Sequence, residues 1–407
     1  MSIVCPADIL IPQNVNLQQW SVVACDQYTS QRDYWDRVRD FTACEPSTIH
    51  LILPEAELED DLDTKTKRIH SYMQRYLEEG IFQEFKNAYI YIERTLSDGK
   101  IRRGILGVVD LEAYDYNPDI SLEVRATEKT VVERIPARKK VRENAMLDLS
   151  HILLLADDDK NLIFSQIDVC DELPVLYSFD LMENGGHITG RLIAGQHAEK
   201  LKRGIAAYED YARKKHGDNQ QPIVYAVGDG NHSLAAAKAC YEKQNRERDN
   251  NLHTFKRYAM MELGNIHDPE QCFEPIHRIV NTDTPDALLQ ELENQIGADT
   301  GYGLQWFDGE KEGVITIRVQ DKDTPVSVLQ EFLDQYAEKN EIEIDYIHDE
   351  QVLRYLCKHK GNVGFYLPAI EKENFFYYIQ KNGYLPRKTF SMGHANEKRY
   401  YLESRKL

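Results

Sequence analysis

Apolar residues recur at helical spacing over 65–79, where Ile69, Tyr72, Met73, Tyr76 and Leu77 share one face and Gly80 stops the run. Two runs of strand character follow, 88–96 and 101–111, joined by Ser97-Asp98-Gly99, and they predict a β-hairpin. Beyond Pro118 the chain is charged as far as Arg142, then turns apolar at Ile152-Leu153-Leu154-Leu155. Asn184-Gly185-Gly186 breaks the pattern. Leu201, Ile205, Tyr208 and Tyr211 then mark a helix that runs to about Lys215 and ends near Gly217. A short apolar run at 223–227 predicts a buried strand, and the alanine-rich 232–247 a helix directly after it.

The polar stretch Arg246-Glu247-Arg248-Asp249-Asn250-Asn251 is the natural place for a domain boundary, giving units 1–248 and 249–407. In the second, Thr284-Pro285 and Thr324-Pro325 each place an N-cap before a proline at the first helical position. Strands are expected at 313–320, 341–347 and 362–369. The two helix starts resemble each other, but two copies are too few for a solenoid. Strands mixed with helices, without a strict βαβ rhythm, predict an α+β fold.

Composition narrows the function. The 407 residues are 42% hydrophobic and 29% charged, as in ordinary globular domains. With 49 Lys+Arg against 68 Asp+Glu, the net charge of −19 argues against a nucleic-acid partner. Seven cysteines, an odd number with no CxxC, predict reduced thiols. The first residues show no secretion signal, and no apolar run approaches the ~18 residues that span a bilayer. The expectation is a cytoplasmic protein without a membrane partner, with homo-oligomerisation left open.

Chemistry concentrates at Val227-Gly228-Asp229-Gly230-Asn231-His232-Ser233. A strand, a glycine turn and a helix start aim free backbone N–H groups and a positive dipole end at one point, which suits phosphate. A lone G-D-G is well explained as a capped turn; an acid, an amide, an imidazole and a hydroxyl within five residues ask for more. A second cluster runs from Arg125 through Thr127 and Glu128 to Arg142. Arg134, Arg138 and Arg142 would line one helix edge, with Pro136 opening or interrupting that helix. Its alternative is a solvated face paired with Glu133 and Glu143. Asp26, at the end of a short strand beside Cys25, could serve as a base or a turn residue. His277-Arg278 and Lys388 offer cations near chain bends, and His348-Asp349-Glu350 reads as a helix start.

Taken in order, VVACDQYT, RATEKTVVERIPARKKVREN, VGDGNHSLAAAK, EPIHRIV and LPRKTFSMGHANEKRYYLESRKL resemble the prokaryotic family known as domain of unknown function 1015. That family is similar to the ParB/sulfiredoxin-like superfamily and its free serine kinases. The resemblance covers essentially the whole chain. It implies a mixed-sheet, ParB/sulfiredoxin-like, nucleotide-binding N-terminal domain and an α/β C-terminal domain whose tail packs back on the site. The superfamily's D-G-H-H-R element matches at Asp229, Gly230 and His232. Asn231 stands where the kinases carry the first histidine, and Ser233 where they carry arginine, with Arg134 or Arg138 as its replacement. Asn231 also replaces the cysteine that sulfiredoxin chemistry needs, and no basic helix-turn-helix follows the motif.

The resemblance implies a nucleotide-dependent phosphotransferase acting on a small hydroxylated metabolite. Asp229, His232, Asp26 and Glu128 would be catalytic, with Asp229 also holding Mg²⁺. Gly228, Gly230, Asn231, Ser233, Thr127, Arg134, Arg138, His277, Arg278 and Lys388 would bind ATP or ADP. The alternatives are a nucleotide-sensing protein without turnover and a hydrolase on the same scaffold.

Overall fold

The hairpin expected around Ser97-Asp98-Gly99 forms the spine of a large mixed sheet. Strands Phe82–Thr95 and Ile101–Asp110 pair antiparallel, with Ile90 opposite Leu106. The computed structural model describes residues 2–58, 61–117, 119–128, 135–149, 151–167, 173–217, 221–247, 255–321 and 323–407, with backbone alone at 244–247 and 255. Arg134 and the boundary expected at 248/249 lie outside the described residues.

Among those residues the sheet has ten strands. Its order is Val124–Ala126, Tyr225–Asp229, Leu153–Ala156, Tyr258–Asn265, Ile101–Asp110, Phe82–Thr95, His187–Ile193 and Val175–Asp180. Val4–Cys5 and Ala7–Pro12 pair onto the hairpin strands. Tyr225–Asp229 runs parallel to Val124–Ala126 and antiparallel to Leu153–Ala156. Mixed pairing of this kind agrees with the expected intermingling of helices and strands.

The strands alternate with period two between two cores. Ile90, Ile92, Leu106, Val108 and Met260 face one side, against Trp20, Tyr34, Trp35, helix Leu62–Glu78 and the tail residues Tyr400 to Leu402. Tyr89, Tyr91, Ile105, Val109, Ala259 and Met261 face the other. There they meet helix Gly195–Lys215 through Ala198, Leu201, Ile205 and Tyr208, and helix Asn231–Glu247 through Leu234 and Ala237. The helix expected over 65–79 is present, extended to an N-cap at Asp61 whose carboxylate accepts from the Thr64 backbone. Asn184-Gly185-Gly186 proves to be the turn of a second hairpin, between Val175–Asp180 and His187–Ile193.

The chain divides into two compact units: the first runs through Gln271 and resumes at His394–Leu407, the second is Cys272–Gly393. This division falls at 271/272. Tyr258–Asn265 is a central strand of the first unit, pairing with Ile101–Asp110 and Leu153–Ala156, and its apolar residues are buried there. The tail, expected to belong with 249–407, is built into the first unit. Its Tyr400–Tyr401 pairs with Val22–Val23, and Arg405–Lys406 with Leu147–Asp148.

The second unit has a five-stranded antiparallel sheet, ordered Glu312–Ile317, Gly297–Phe307, Asn362–Tyr366, His277–Asn281 and Ile344–Ile347. Leu288, Leu292, Leu304, Ile317, Leu329, Phe332 and Phe365 form its core. Thr324 caps helix Pro325–Asn340 in a reciprocal box with Ser327, whereas Thr284 makes no side-chain cap. Strand Gly297–Phe307 was not foreseen, since three glycines and a register shift between Gly297 and Tyr302 hide its alternation. The six described cysteines are free thiols. Among the described residues no helix is long and apolar enough to cross a membrane.

Candidate functional site

Strand Tyr225–Asp229 ends at Gly230, and helix Asn231–Glu247 starts directly after it. Gly230 has φ +78°, and a Cβ there would lie 2.9 Å from Ile152 Cα. The junction is thus closed to side chains on two grounds, left-handed backbone and a neighbouring strand. Gly230→Ala is expected to cost about 1–2 kcal/mol, read as a lower urea midpoint at unchanged slope. Asp229 Oδ1 accepts from the Gly230 N–H at 2.8 Å, and Asp229 Oδ2 meets Lys398 Nζ at 3.2 Å. Thr127 Oγ1 donates to Val227 O at 2.7 Å and receives Asn231 Nδ2 at 3.5 Å, while the buried Asn231 Oδ1 has no partner within the protein. Gly228, His232 and Ser233 are half-buried around this turn, as is Glu128 beside Thr127.

Asp26 is carried in by the pairing of Val22–Val23 with the tail. Ala24 N donates to Arg399 O at 2.8 Å, and the turn after it sets the Asp26 carboxylate 3.2 Å from His151 Nε2. Ser233 Oγ lies 3.3 Å from the same nitrogen, and Tyr401 OH lies 2.6 Å from His151 Nδ1. Burial disfavours the His151 cation, but the Asp26 carboxylate beside it, with Asp229 beyond, raises its pKa above the ordinary imidazole value. Burial opposes ionisation of Asp26 too, yet His151 and Arg138 hold its carboxyl well below the usual range. Asp26 is therefore a weak base that orients His151 and favours its protonated form. Burial pushes the neighbouring Cys25 thiol up to about 12, so it is protonated and unreactive at neutral pH.

This arrangement is not a serine-hydrolase triad, because Asp26 and Ser233 compete for one nitrogen instead of bracketing the ring. Triad connectivity does occur at Ser178, His187 and Asp180, with distances of 2.9 and 2.7 Å. It sits on the edge hairpin with the Asp180 side chain 79% exposed, where water screens the carboxylate.

The basic stretch forms helix Ile135–Glu143, with Pro136 in its first turn. It lies against Ala235, Ala236 and Ala239, whose small side chains allow the close approach. Neither Arg138 nor Arg142 forms a solvated face: Arg138 pairs with Glu55 and Arg142 with Asp148, their side chains 10% and 17% exposed. His277 and Arg278 lie in the core of the second unit. His277 Nδ1 accepts from Leu367 N at 3.1 Å, and burial lowers its pKa. Arg278 donates to Ile276 O and Arg387 O and covers the Tyr346 ring at 4.6 Å. The structure gives both a packing role in that unit. Lys388 is exposed, at φ +55°. Among the described residues no group of three or more His, Cys, Asp or Glu could hold a metal, and Asp229 already carries a lysine counter-ion. Mg²⁺ bound together with a nucleotide takes one or two protein carboxylates besides the substrate phosphates, a smaller donor set for which Asp229 would have to leave Lys398.

A family model described as "Protein of unknown function (DUF1015)" matches residues 8–406. The chain belongs to the DUF1015 family. None of the curated proteins compared with it matches. Among solved structures, a conserved hypothetical protein from Pyrococcus furiosus is similar at TM-score 0.35 and 12% identity, over 74% of this chain and 94% of the other. A free serine kinase in complex with AMP is similar at TM-score 0.37 and 12% identity, over 72% and 86%. SbnI with a C-terminal truncation, from Staphylococcus aureus, gives 0.36 and 11%, over 74% and 82%. Likenesses this distant leave the activity to be argued from the chain's own residues.

The candidate site includes residues that the sequence alone does not single out. His151 stands just before the apolar run 152–155, where a polar residue at a strand entrance is unremarkable. Lys398 and Tyr401 sit in the tail motif, and only its density of charge and aromatics marked it. Glu55 follows Pro54 at the start of a short 3₁₀ turn, with nothing local to distinguish it.

Proposed function

We propose that this chain is a nucleotide-dependent phosphotransferase that moves a phosphoryl group onto the hydroxyl of a small metabolite. The observation that carries it is the junction at Gly230. A helix start and a lysine held on Asp229 converge at a positive-φ glycine packed against the neighbouring strand. The N–H groups at the start of helix Asn231–Glu247 would hold phosphate oxygens, with Gly228 and Thr127 shaping the cradle. Lys398, turning from Asp229, would neutralise charge as it develops. In the transfer, the acceptor oxygen bonds to the terminal phosphorus and the bond to the bridging oxygen of the nucleotide breaks. Glu128 takes the hydroxyl proton; Asp26, strongly ionised against His151, is the poorer base. No step runs through a resident Mg²⁺.

Calorimetric titration with ATP and ADP tests the cradle. Lys398→Ala is expected to raise the ATP Kd about tenfold, the ~1.4 kcal/mol of one charge-assisted contact. Release of ADP with a hydroxylated acceptor tests the chemistry. Binding without turnover would favour a nucleotide sensor, a reading the Lys398–Asp229 pair also suits, since it ties up the acid. Absence of any nucleotide binding refutes both.

A further inference from the structure

A cavity of about 110 Å³ is lined by helix Ile135–Glu143, residues 51–58, the tail's Tyr401, and His151 and Ser233. Its wall is largely apolar, with Leu53, Met73 and Val141 among the lining residues. Two guanidinium groups interrupt that wall. Arg138 uses Nη2 on Glu55, leaving the buried Nε and Nη1 with no partner in the protein. Arg142 uses Nη1 on Asp148, leaving the buried Nη2 likewise. Unpaired donors on buried cations are costly and rare, and here two such groups border one cavity. Arg142 and Arg405 share Asp148, Arg138 pairs with Glu55, and His151 lies 3.2 Å from Asp26, so each cation already has a carboxylate beside it.

We propose that this cavity binds a small monocarboxylate, its carboxylate on the open N–H groups of Arg138 and Arg142 and its short carbon body on Leu53, Met73 and Val141. The planar fork of arginine matches a carboxylate, and with Glu55 and Asp148 already on the two guanidinium groups a monoanion suits the cavity better than a phosphate dianion. The volume suits a body of roughly half a dozen non-hydrogen atoms, since a ~150 Å³ cavity admits benzene. Ser233 and His151 border both this cavity and the helix start, so a hydroxyl on the same molecule would lie toward the phosphate cradle. That the carboxylate is the phosphoryl acceptor rests on the transfer reading; that it binds does not.

Isothermal titration of the full chain with lactate, glycerate, lactamide and inorganic phosphate tests this. Lactate and glycerate bind, and the neutral amide binds at least tenfold more weakly. Arg142→Lys, which keeps a cation for Asp148 but loses the planar fork, weakens lactate at least tenfold, with a thermal melt confirming that it folds. Glu55→Gln with Arg138→Gln, a neutral pair, does the same from the other guanidinium. The proposal is overturned if neither carboxylate binds, if phosphate binds more tightly than both, or if Arg142→Lys binds lactate as the parent does. Parallel titration with ATP separates the two readings: lactate binding without ATP binding leaves the cavity standing and removes the transfer reading, and the converse result does the reverse.

Discussion

Arg399→Ala is expected to lower the stability of the first unit by about 3–5 kcal/mol, the penalty for removing one member of a buried charge cluster. The Arg399 side chain is 7% exposed and pairs with Glu262 on the central strand Tyr258–Asn265 and, at 2.6 Å, with Glu403. Glu403 in turn accepts from the buried Tyr177 hydroxyl. Gly104, on the adjacent strand, makes room for the Glu262 carboxylate, since a Cβ there would lie 2.2 Å from its Oε1. Removing the guanidinium leaves two buried carboxylates without their shared counter-ion. Arg94 clamps the same tail segment from another strand, donating to Gly185 O and to the carbonyls of Asn396, Glu397 and Lys398. Urea unfolding of the variant should show the loss. Arg399→Met combined with Glu262→Gln and Glu403→Gln should recover much of it, because that triple change removes the charges together. A loss below about 1 kcal/mol for the single change would show that the cluster does not hold the tail. The functional consequence is local: Lys398 precedes Arg399, so a loosened tail also frees the cation on Asp229.

The local patterns were legible where one segment decides the outcome by itself. The hairpin at Ser97-Asp98-Gly99 needs only turn residues between two apolar runs, and the helices at 62–78, 195–215 and 231–247 carry their buried stripes in their own periodicity. The glycine junction belongs with these, because a strand, a positive-φ glycine and a helix start are neighbours in the chain. Other features depend on distant partners. Asp26, His151 and Tyr401 are separated by more than a hundred residues each way, and only the pairing of Tyr400–Tyr401 with Val22–Val23 brings them together. The polar stretch at 246–251 looks like a linker, yet the strand after it is a core element. Its apolar start Ala259-Met260-Met261 could equally have opened a new domain; only its pairing partners decide. Arg138 and Arg142 show the same limit from the side of charge. A run of cations reads as solvated unless the carboxylates that bury it, Glu55 and Asp148, can be seen to arrive from elsewhere.

The pair of Asp26 and His151 should make stability depend on pH in a way that one substitution abolishes. His151 has a raised pKa in the folded state, so its contribution is fully present below its unfolded value near 6.5 and is lost as pH rises through the folded one. Asp26 has a lowered pKa, so its contribution is present above its unfolded value near 3.8 and is lost as pH falls through the folded one. The two overlap in the window between those unfolded values, where the ion pair is complete. Asp26→Asn removes the carboxylate but keeps the shape, leaving burial to push the imidazole toward its neutral form. The expected loss is about 2–3 kcal/mol near pH 6, the worth of a hydrogen bond to a charged group. It should shrink as pH rises above the folded His151 pKa. Unfolding curves of parent and variant between pH 5 and 9 measure it, and a proton NMR titration of His151 reads the cause directly. The imidazole should titrate above 6.5 in the parent and below it in Asp26→Asn. A His151 pKa unmoved by the substitution would mean that Tyr401 and the buried surroundings, not Asp26, set its charge.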